Sequence, residues 1–385
     1  MIKFTVKTED LKKALSIAVL ATGKTSSNIL SHSLFSIEND SVTLYSTDQD
    51  KIAKSYLPVT DLKNSNSENI LFTAEPKRIE KLINSSENTE FDFSYDPKTK
   101  TLKIYTSENS KSYISFPSFN TEDFLNFKDD LENINVENIS SNILLAGIRF
   151  TSGFISKNEK DKKFSNIFIH EGTIYGTNGS IKIGAFQNMD LEKVPSITIR
   201  KQMISPLLSM LEKISPSEIL IGASEKYIVF FSSDYSFCFG FRNSTITIPR
   251  MPISLEIPEV DGFNVNRLDF QRKLDRLSLS SWEDVGVKMT IKEDIISMET
   301  LLERKSQENI KCERLQGDKN PSFIIECEVL KKILAQFSAS NIDFYIDKKK
   351  CTIYSSADLE YKNESDELVS IPFIATGSLT FARIA

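Results

Sequence analysis

Histidine is nearly absent. His32 and His170 are the only two in 385 residues, so chemistry built on imidazole has few candidates. Glycine is scarce at 13, and no Gly-rich loop of the phosphate-cradling kind occurs. The four cysteines, Cys238, Cys312, Cys327 and Cys351, form no CxxC pair. That removes the common zinc and dithiol spacings and leaves buried thiols as the plain expectation. There is no HExxH run and no other cluster with metal-ligand spacing, so neither metal nor cofactor is expected. No apolar run approaches the roughly 18 residues a membrane helix needs. The opening Met1–Lys7 lacks a signal-peptide core. These absences point to a cytoplasmic protein with no catalytic residue to assign.

What the chain has is repetition. A pair of adjacent strand patterns at Leu34–Asp40 and Val42–Asp48 returns at Ile167–Gly172 and Thr173–Asn178, and again at Val287–Asp294 and Ile295–Thr300. Thr47, Thr177 and Thr300 end these pairs at intervals of 130 and 123 residues. A second strand pattern carries Tyr105, Phe231 and Tyr354, which stand 126 and 123 apart. Two independent sets of spacings agree on three units of about 125 residues.

Each unit also holds two helical stripes. In the first, Leu11, Ala14, Leu15, Ala18 and Val19 fall on one face, with Thr8 as expected N-cap. The second begins near Pro76, a favoured first-turn position. Segments 141–153, 200–213, 267–279 and 327–337 complete the set, with Ser205-Pro206 read as either a cap and first turn or the end of an irregular start. The pattern predicts an α+β fold of three repeated domains, each with two helices packed on antiparallel sheets. Joins are expected within 120–135 and 250–265, giving domains 1–128, 129–256 and 257–385.

The net charge of −6 argues against a uniformly DNA-attracting surface. Its distribution is uneven. Five of the six helical segments are net positive and none is negative; together they carry +7, leaving −13 on the rest. Their bases avoid the apolar stripes: Lys12 and Lys13; Lys77, Arg78 and Lys81; Arg272, Lys273 and Arg276; Lys331 and Lys332, with Arg149, Arg200 and Lys201 as further candidate contacts. The loop bearing Lys157, Lys160, Lys162 and Lys163 adds more. Gathered on one surface, these residues could contact phosphates without reading sequence.

The Phe4-Thr5-Val6 strand with the helix after it, Ser46-Thr47-Asp48, Glu122-Asp123-Phe124, Thr177-Asn178-Gly179 and the triple repeat occur in one order. In that order and spacing the whole chain resembles the bacterial DNA polymerase III beta subunit, the replicative sliding clamp family. The resemblance implies a head-to-tail homodimer, a ring of six domains lined by helices and closed around duplex DNA. It implies a clamp loader that opens the ring with ATP. It also implies a replicative polymerase catalytic subunit, other polymerases and repair proteins that dock short linear peptides. By the same resemblance the peptide pocket would use Phe164, Thr177, Gly179, Ser180 and Pro249, with Val369, Ile371, Pro372 and Phe373 from the third domain. Lys24 would be a DNA-contacting loop residue. The dimer contact would join Lys103, Ile104, Tyr105 and the Lys111–Ser115 stretch to Leu279 and Ile296–Leu302.

The sequence also departs from that family. The usual Thr-Asp-Gly-His-Arg turn is Thr177-Asn178-Gly179-Ser180-Ile181, without the charged rim. The Asp-Gly-x-Phe-Pro-Asp-Tyr segment reads Asn243 to Arg250, Phe323–Cys327 lacks the expected Asn and Tyr, and Ala375–Ala385 runs past the usual end. Two other readings compete. A carboxylate enzyme could use Asp48, but its equivalents are Asn178 and Leu301, which favours a role in a turn. A β-rich interaction scaffold that does not encircle DNA would share the repeat but need no basic helices.

Overall fold

The computed structural model describes all residues except 24–27, 39–40, 64–69, 107–111, 159, 162, 180–181, 215–217, 245, 247, 249–256, 280–285, 303–304, 348–349, 363–367 and 381–385. One order of elements recurs three times, with one additional strand, Thr60–Lys63, in the first repeat. In the first repeat, strand β1 (Ile2–Lys7) enters helix α1 (Thr8–Ala18). Strands β2 (Ser33–Glu38), β3 (Ser41–Thr47), β4 (Lys51–Leu57), β5 (Thr60–Lys63) and β6 (Ile70–Ala74) follow. Helix α2 (Pro76–Asn84) leads to β7 (Glu90–Asp96), β8 (Thr101–Tyr105) and β9 (Tyr113–Pro117).

The second repeat runs β10 (Val136–Ser140), α3 (Ser141–Ser152), β11 (Ile167–His170), β12 (Thr173–Thr177), β13 (Lys182–Gln187) and β14 (Ile197–Ile199). It ends with α4 (Lys201–Ile214), β15 (Glu218–Ala223), β16 (Tyr227–Ser232) and β17 (Phe237–Arg242). The third runs β18 (Asp261–Asn266), α5 (Arg267–Ser278), β19 (Gly286–Lys292), β20 (Ile295–Thr300), β21 (Gln307–Gln316) and β22 (Ser322–Glu326). It closes with α6 (Cys327–Leu334), β23 (Asn341–Ile346), β24 (Lys350–Lys362) and β25 (Leu368–Thr380). No helix among the described residues is long and apolar enough to cross a membrane.

Helix onsets show local chemistry at work. β1 runs directly into α1, so Lys7 rather than Thr8 stands at the cap position. Thr8 lies inside the helix, and its hydroxyl donates to Asn88 O at 2.6 Å instead. Pro76 opens α2, where its missing N–H costs nothing. Pro206 sits inside α4, because the helix begins earlier, at Lys201.

The chain divides into two compact units, residues 1–141 with 205–243 and residues 142–204 with 244–385. The first unit contains a sheet in the order β5-β1-β7-β8-β9 and another in the order β10-β15-β16-β17-β4-β3-β2-β6. Alternation along β1 buries Ile2, Phe4 and Val6. Phe4 stacks on Phe93 at 4.9 Å and Phe35 on Phe72 at 4.8 Å, and Phe72 meets Tyr95 of the other sheet at 4.5 Å. This aromatic stack joins the two sheets. Helices α1 and α2 pack side by side. The stretch after β9 packs Phe124 and Phe127 on Leu34, Ile52, Phe231 and Cys238.

The second unit holds one twelve-stranded sheet system, β14-β11-β12-β13-β25-β24-β23-β18-β21-β20-β19-β22. Helices α5 and α6 pack together beside it. Both units contain the same kind of junction. The last strand of one repeat pairs antiparallel with the strand that follows the recurrent hairpin of the repeat before it. In the first unit β17 pairs with β4, Gly240 opposite Ile52. In the second β25 pairs with β13, Gly377 opposite Gly184.

The threonines that end the recurrent hairpins share a structural task. Thr47 is fully buried, accepts from Gln49 N at 3.0 Å and donates to Lys51 O at 2.8 Å. Thr177 accepts from Gly179 N and donates to Lys182 O, both at 3.0 Å. Thr300 accepts from Ser306 N at 2.9 Å. Asp48 and Asn178 each take the amide of the turn's closing lysine, at 2.8 and 2.9 Å. Amide and carboxylate do the same work here, which explains why the charge at Asp48 is not repeated.

The paired glycines of the second junction seat an aromatic ring. A Cβ on Gly184 would lie 2.3 Å from Phe154 Cδ2, and one on Gly377 would lie 3.1 Å from Phe154 Cζ. Phe154 is fully buried and contacts Phe150, which meets Phe337 after α6. Overpacking such a site costs about 1–3 kcal/mol. Gly184→Ala is therefore expected to lower the melting temperature by several degrees. Gly286→Ala, whose new methyl group would meet only the exposed Leu301 side chain within 3.4 Å, is expected to change it little. Equal melting curves for the two variants would mean that Phe154 is not seated on this junction.

Candidate functional site

The basic helix residues divide into tethered and exposed groups. On α2, Lys77 Nζ donates to Gly23 O at 2.8 Å, whereas Arg78 is exposed beside Glu75 at 3.4 Å. Lys81 is exposed and makes no ion pair with a described residue. On α5, Lys273 is bound to Asp269 at 2.9 Å and donates to Asn309 O at 2.6 Å, with only 16% of its side chain exposed. Arg276 reaches Glu308 at 3.1 Å, and Arg272 is exposed without an ion pair among the described residues.

On α6, Lys331 lies between Asp275 and Glu328, at 2.8 Å from each. Its partial burial opposes the charge, but the two carboxylates outweigh that and raise its pKa. Lys332 is exposed, 3.7 Å from Glu328. The sequence count of charge per helix thus overstated what these helices offer to an anion. Lys77, Lys273 and Lys331 serve the fold. Arg78, Lys81, Arg272, Arg276 and Lys332 are the accessible charges. Their surface ion pairs are worth about 0–1 kcal/mol each and exchange readily.

The lysine loop after α3 is closed at its base, where Ser156 N donates to Phe164 O at 2.7 Å. Two ammonium groups hold it from below: Lys182 on Gly153 O and Lys201 on Lys157 O. Lys201 is thereby committed to structure. Lys157, Lys160 and Lys163 are exposed on the loop, as is Arg149 on α3, while Arg200 is half-buried ahead of α4. Lys24, Lys162, Ser180 and Pro249 lie outside the described residues.

The same loop ends at the candidate pocket. Phe164 packs against Gly179, where a Cβ would meet the ring at 3.3 Å and where φ is +103°, a conformation that favours glycine. Lys163 Nζ lies 5.9 Å from the centre of the Phe164 ring. Gly179 is tied to the buried Thr177 through the turn described above. Beside that turn, Phe168, Tyr175 and Ala185 form an apolar platform on which Ile246 and Ile248 pack. Those isoleucines and Lys182 were not among the expected pocket residues; the alternating Ile246-Thr247-Ile248 pattern was the available signal. Burial, and then the nearby ammonium groups of Lys157 and Lys332, lower the pKa of Lys182.

Val369, Ile371, Pro372 and Phe373 are not brought to this turn. β25 meets β13 only through Ile374–Leu379, with Leu379 opposite Lys182 and Ile374 opposite Gln187. Residues 368–373 pair with β24 alone and extend beyond the other end of β13. Phe373 is six strand residues from Leu379, roughly 20 Å. The expected wall is displaced because the register of β25 on β13 places a later part of the strand beside the turn.

The expected interface residues shift in part: Tyr113–Ser115 of the expected Lys111–Ser115 stretch lie on the edge strand β9, whereas Lys103–Tyr105 do not. β8 lies between β7 and β9, so Lys103, Ile104 and Tyr105 have both backbone edges occupied, and Ile104 is fully buried. Ile296 is buried on β20, between β19 and β21. The edge strand is β9, with Tyr113 and Ile114 nearly half exposed. In β21, Gln307–Lys311 pairs with β20 while β18 takes only Cys312–Gln316. The outer edge of Gln307–Lys311 has no strand partner among the described residues. Leu279, after α5, is 85% exposed.

No family model matches the chain, and no curated protein matches it by sequence. Its shape does find relatives. The DNA polymerase III subunit beta of Pseudomonas aeruginosa matches with TM-score 0.79 at 14% identity, covering 99% of this chain and 100% of that one. The DNA polymerase III beta subunit of Thermotoga maritima matches with TM-score 0.77 at 14% identity over 100% of both chains. A sliding clamp of Bartonella birtlesii bound to griselimycin matches with TM-score 0.78 at 17% identity, again over 100% of both. From first residue to last, the chain has the fold of the bacterial DNA polymerase III beta subunit.

Proposed function

We propose that the protein is a DNA sliding clamp, a non-enzymatic processivity factor that closes around duplex DNA as a head-to-tail homodimer. One observation carries this reading. The junction between repeats is used twice within the chain, at β4·β17 and β13·β25, and among the described residues its two halves in β21 and β9 have no strand partner. The outer edge of Gln307–Lys311 in β21 corresponds to β4 and β13. The edge strand β9 corresponds to β17 and β25. Exposed edges invite pairing, and a second copy supplies the complement of each. Two such contacts related by a two-fold axis close the assembly.

In this reading domains 1–128, 129–256 and 257–385 are the repeats of the ring. Arg78, Lys81, Arg149, Lys157, Lys160, Lys163, Arg272, Arg276 and Lys332 meet phosphates, with Lys24 and Lys162 as further candidates. Retention is topological, so each contact stays weak and blind to sequence. Phe164, Thr177 and Gly179 form the groove for linear peptides, with Ser180 and Pro249 as further candidates. The replicative polymerase, the ATP-driven loader and repair proteins dock there. The site of action is the cytoplasm.

Two measurements test this. Light scattering over a dilution series is expected to give about 87 kDa, twice the 43.6 kDa chain. Ile114→Asp on β9 is expected to shift the mass to that of one chain while leaving the circular dichroism spectrum unchanged. A wild-type monomer at every concentration would remove the ring. The second measurement concerns DNA. Protein loaded on nicked circular DNA is expected to stay bound and to run off once the circle is linearised. Each of Lys81→Ala and Arg272→Ala is expected to lower the salt slope of duplex affinity by about one. Affinity that ignores salt and topology would favour the scaffold that does not encircle DNA.

A further inference from the structure

Where the stretch between β9 and β10 crosses the sheet of the first unit, it leaves a cavity of about 530 Å³. That is within the usual size of small-molecule sites. Tyr45, Phe231 and Tyr235 line it. Three carboxylates, those of Glu38, Asp129 and Glu132, share it with the ammonium groups of Lys54 and Lys128. The fold places the rings. Tyr45 lies opposite Lys54 across β3·β4 and meets Phe127 edge-on at 5.8 Å. Tyr235 stands in the turn between β16 and β17 at φ +57°, a region that residues other than glycine rarely adopt. Its ring is 5.4 Å from that of Phe231 and stays exposed. The second repeat offers a comparison. Tyr175 stands two residues before Thr177, as Tyr45 stands two before Thr47. Tyr175 is fully buried, whereas Tyr45 is half-buried and opens onto the cavity.

One cation already sits there. Lys128 holds its ammonium 4.6 Å from the centre of the Tyr45 ring and 3.7 Å from Glu38, and donates to Ser36 Oγ at 3.3 Å. The ring's quadrupole attracts a cation over its face, Ser36 accepts a hydrogen bond, and Glu38 adds opposite charge. The contacts are of the weak surface kind, so Lys128 can leave them. Asp129 and Glu132 are exposed and make no ion pair with a described residue. Burial, and then the charges of Glu38 and Glu132, raise the pKa of Tyr45, so negative potential surrounds its hydroxyl. An anion would meet three carboxylates here, and a quaternary ammonium would leave the Ser36 acceptor unused. We propose that the cavity binds a small primary alkylammonium ion, which takes the place of Lys128 over Tyr45 and extends toward Glu132 and Tyr235. Lys128 is then a built-in occupant, and affinity falls by the fraction of molecules in which it stays in place. The site lies wholly within the first unit and needs neither ring closure nor the peptide groove.

The test is isothermal titration of the full-length protein with putrescine at fixed ionic strength, with choline as the quaternary counterpart. Lys128→Ala is expected to bind putrescine about tenfold more tightly than the wild type does, and more tightly than it binds choline. Adding Tyr45→Leu to Lys128→Ala is expected to weaken that binding by about tenfold. Adding Glu132→Gln instead, a change at an exposed side chain, is expected to weaken it about threefold and leave the melting curve unchanged. Hydrogen exchange needs no variant, and saturating putrescine is expected to protect amides of residues 128–136 in the wild type. Diffuse attraction to an acidic chain would give the wild type, Lys128→Ala and both double variants equal affinity, and would overturn the site. Choline bound as tightly as putrescine would overturn the choice of a primary ammonium. Absence of putrescine binding by Lys128→Ala, or of protection at 128–136, would also overturn the proposal.

Discussion

Every strand must find a neighbour for both of its backbone edges or leave them to solvent. That constraint organises the molecule. Within each repeat, hairpins satisfy most edges locally. The remainder is met between repeats, where β17 completes the sheet of β4 and β25 completes that of β13. Such junctions need close approach, and Gly240 and the Gly184·Gly377 pair provide it. At the second junction Phe154 and Phe337 cover the glycines and Phe150 packs on both rings, so backbone pairing and aromatic burial reinforce each other. Among the described residues, the outer edges of β9 and of Gln307–Lys311 in β21 lack the strand partner that β17 and β4 or β25 and β13 give each other.

Much of this architecture was legible in the sequence. The spacing of Thr47, Thr177 and Thr300 marked three buried residues whose hydroxyls each bond the turn that follows, the first two through identical bonds. The stripe from Leu11 to Ala18 marked the buried face of α1. These features are local, and a local pattern is written into neighbouring residues. What was not legible depends on long-range pairing. Ile371-Pro372-Phe373 looks like a pocket wall as a string of residues, but the ladder to β13 decides which residues reach the turn. Lys103–Tyr105 reads as a strand, and only the pairing of β9 shows that it is not the edge.

Charge failed in the same instructive way. Counting bases on a helix ignores acids brought there by folding. Glu308 of β21 reaches Arg276, and Asp275 of α5 reaches Lys331 of α6. Neither contact lies within one turn of a single helix. The tethered lysines hold loops and neighbouring elements: Lys77 the Gly23 carbonyl, Lys182 the end of α3, Lys201 the lysine loop. A basic residue can therefore belong to the fold while its sequence neighbour belongs to the surface.

That division suits the proposed sliding. A lysine whose own side chain is largely covered, as those of Lys273 and Lys331 are, is not free to leave its partners for a phosphate. An exposed pair, by contrast, gives up only about 0–1 kcal/mol when its partner is exchanged. The basic side chains of Arg78, Arg276 and Lys332 are themselves mostly exposed. Each can trade a carboxylate for a phosphate and back at little cost, and none forms a bond strong enough to hold a fixed register. Tight, preformed anion sites would pin DNA in place. A ring closed by paired strand edges can leave retention to topology, and its inner contacts are then free to be weak.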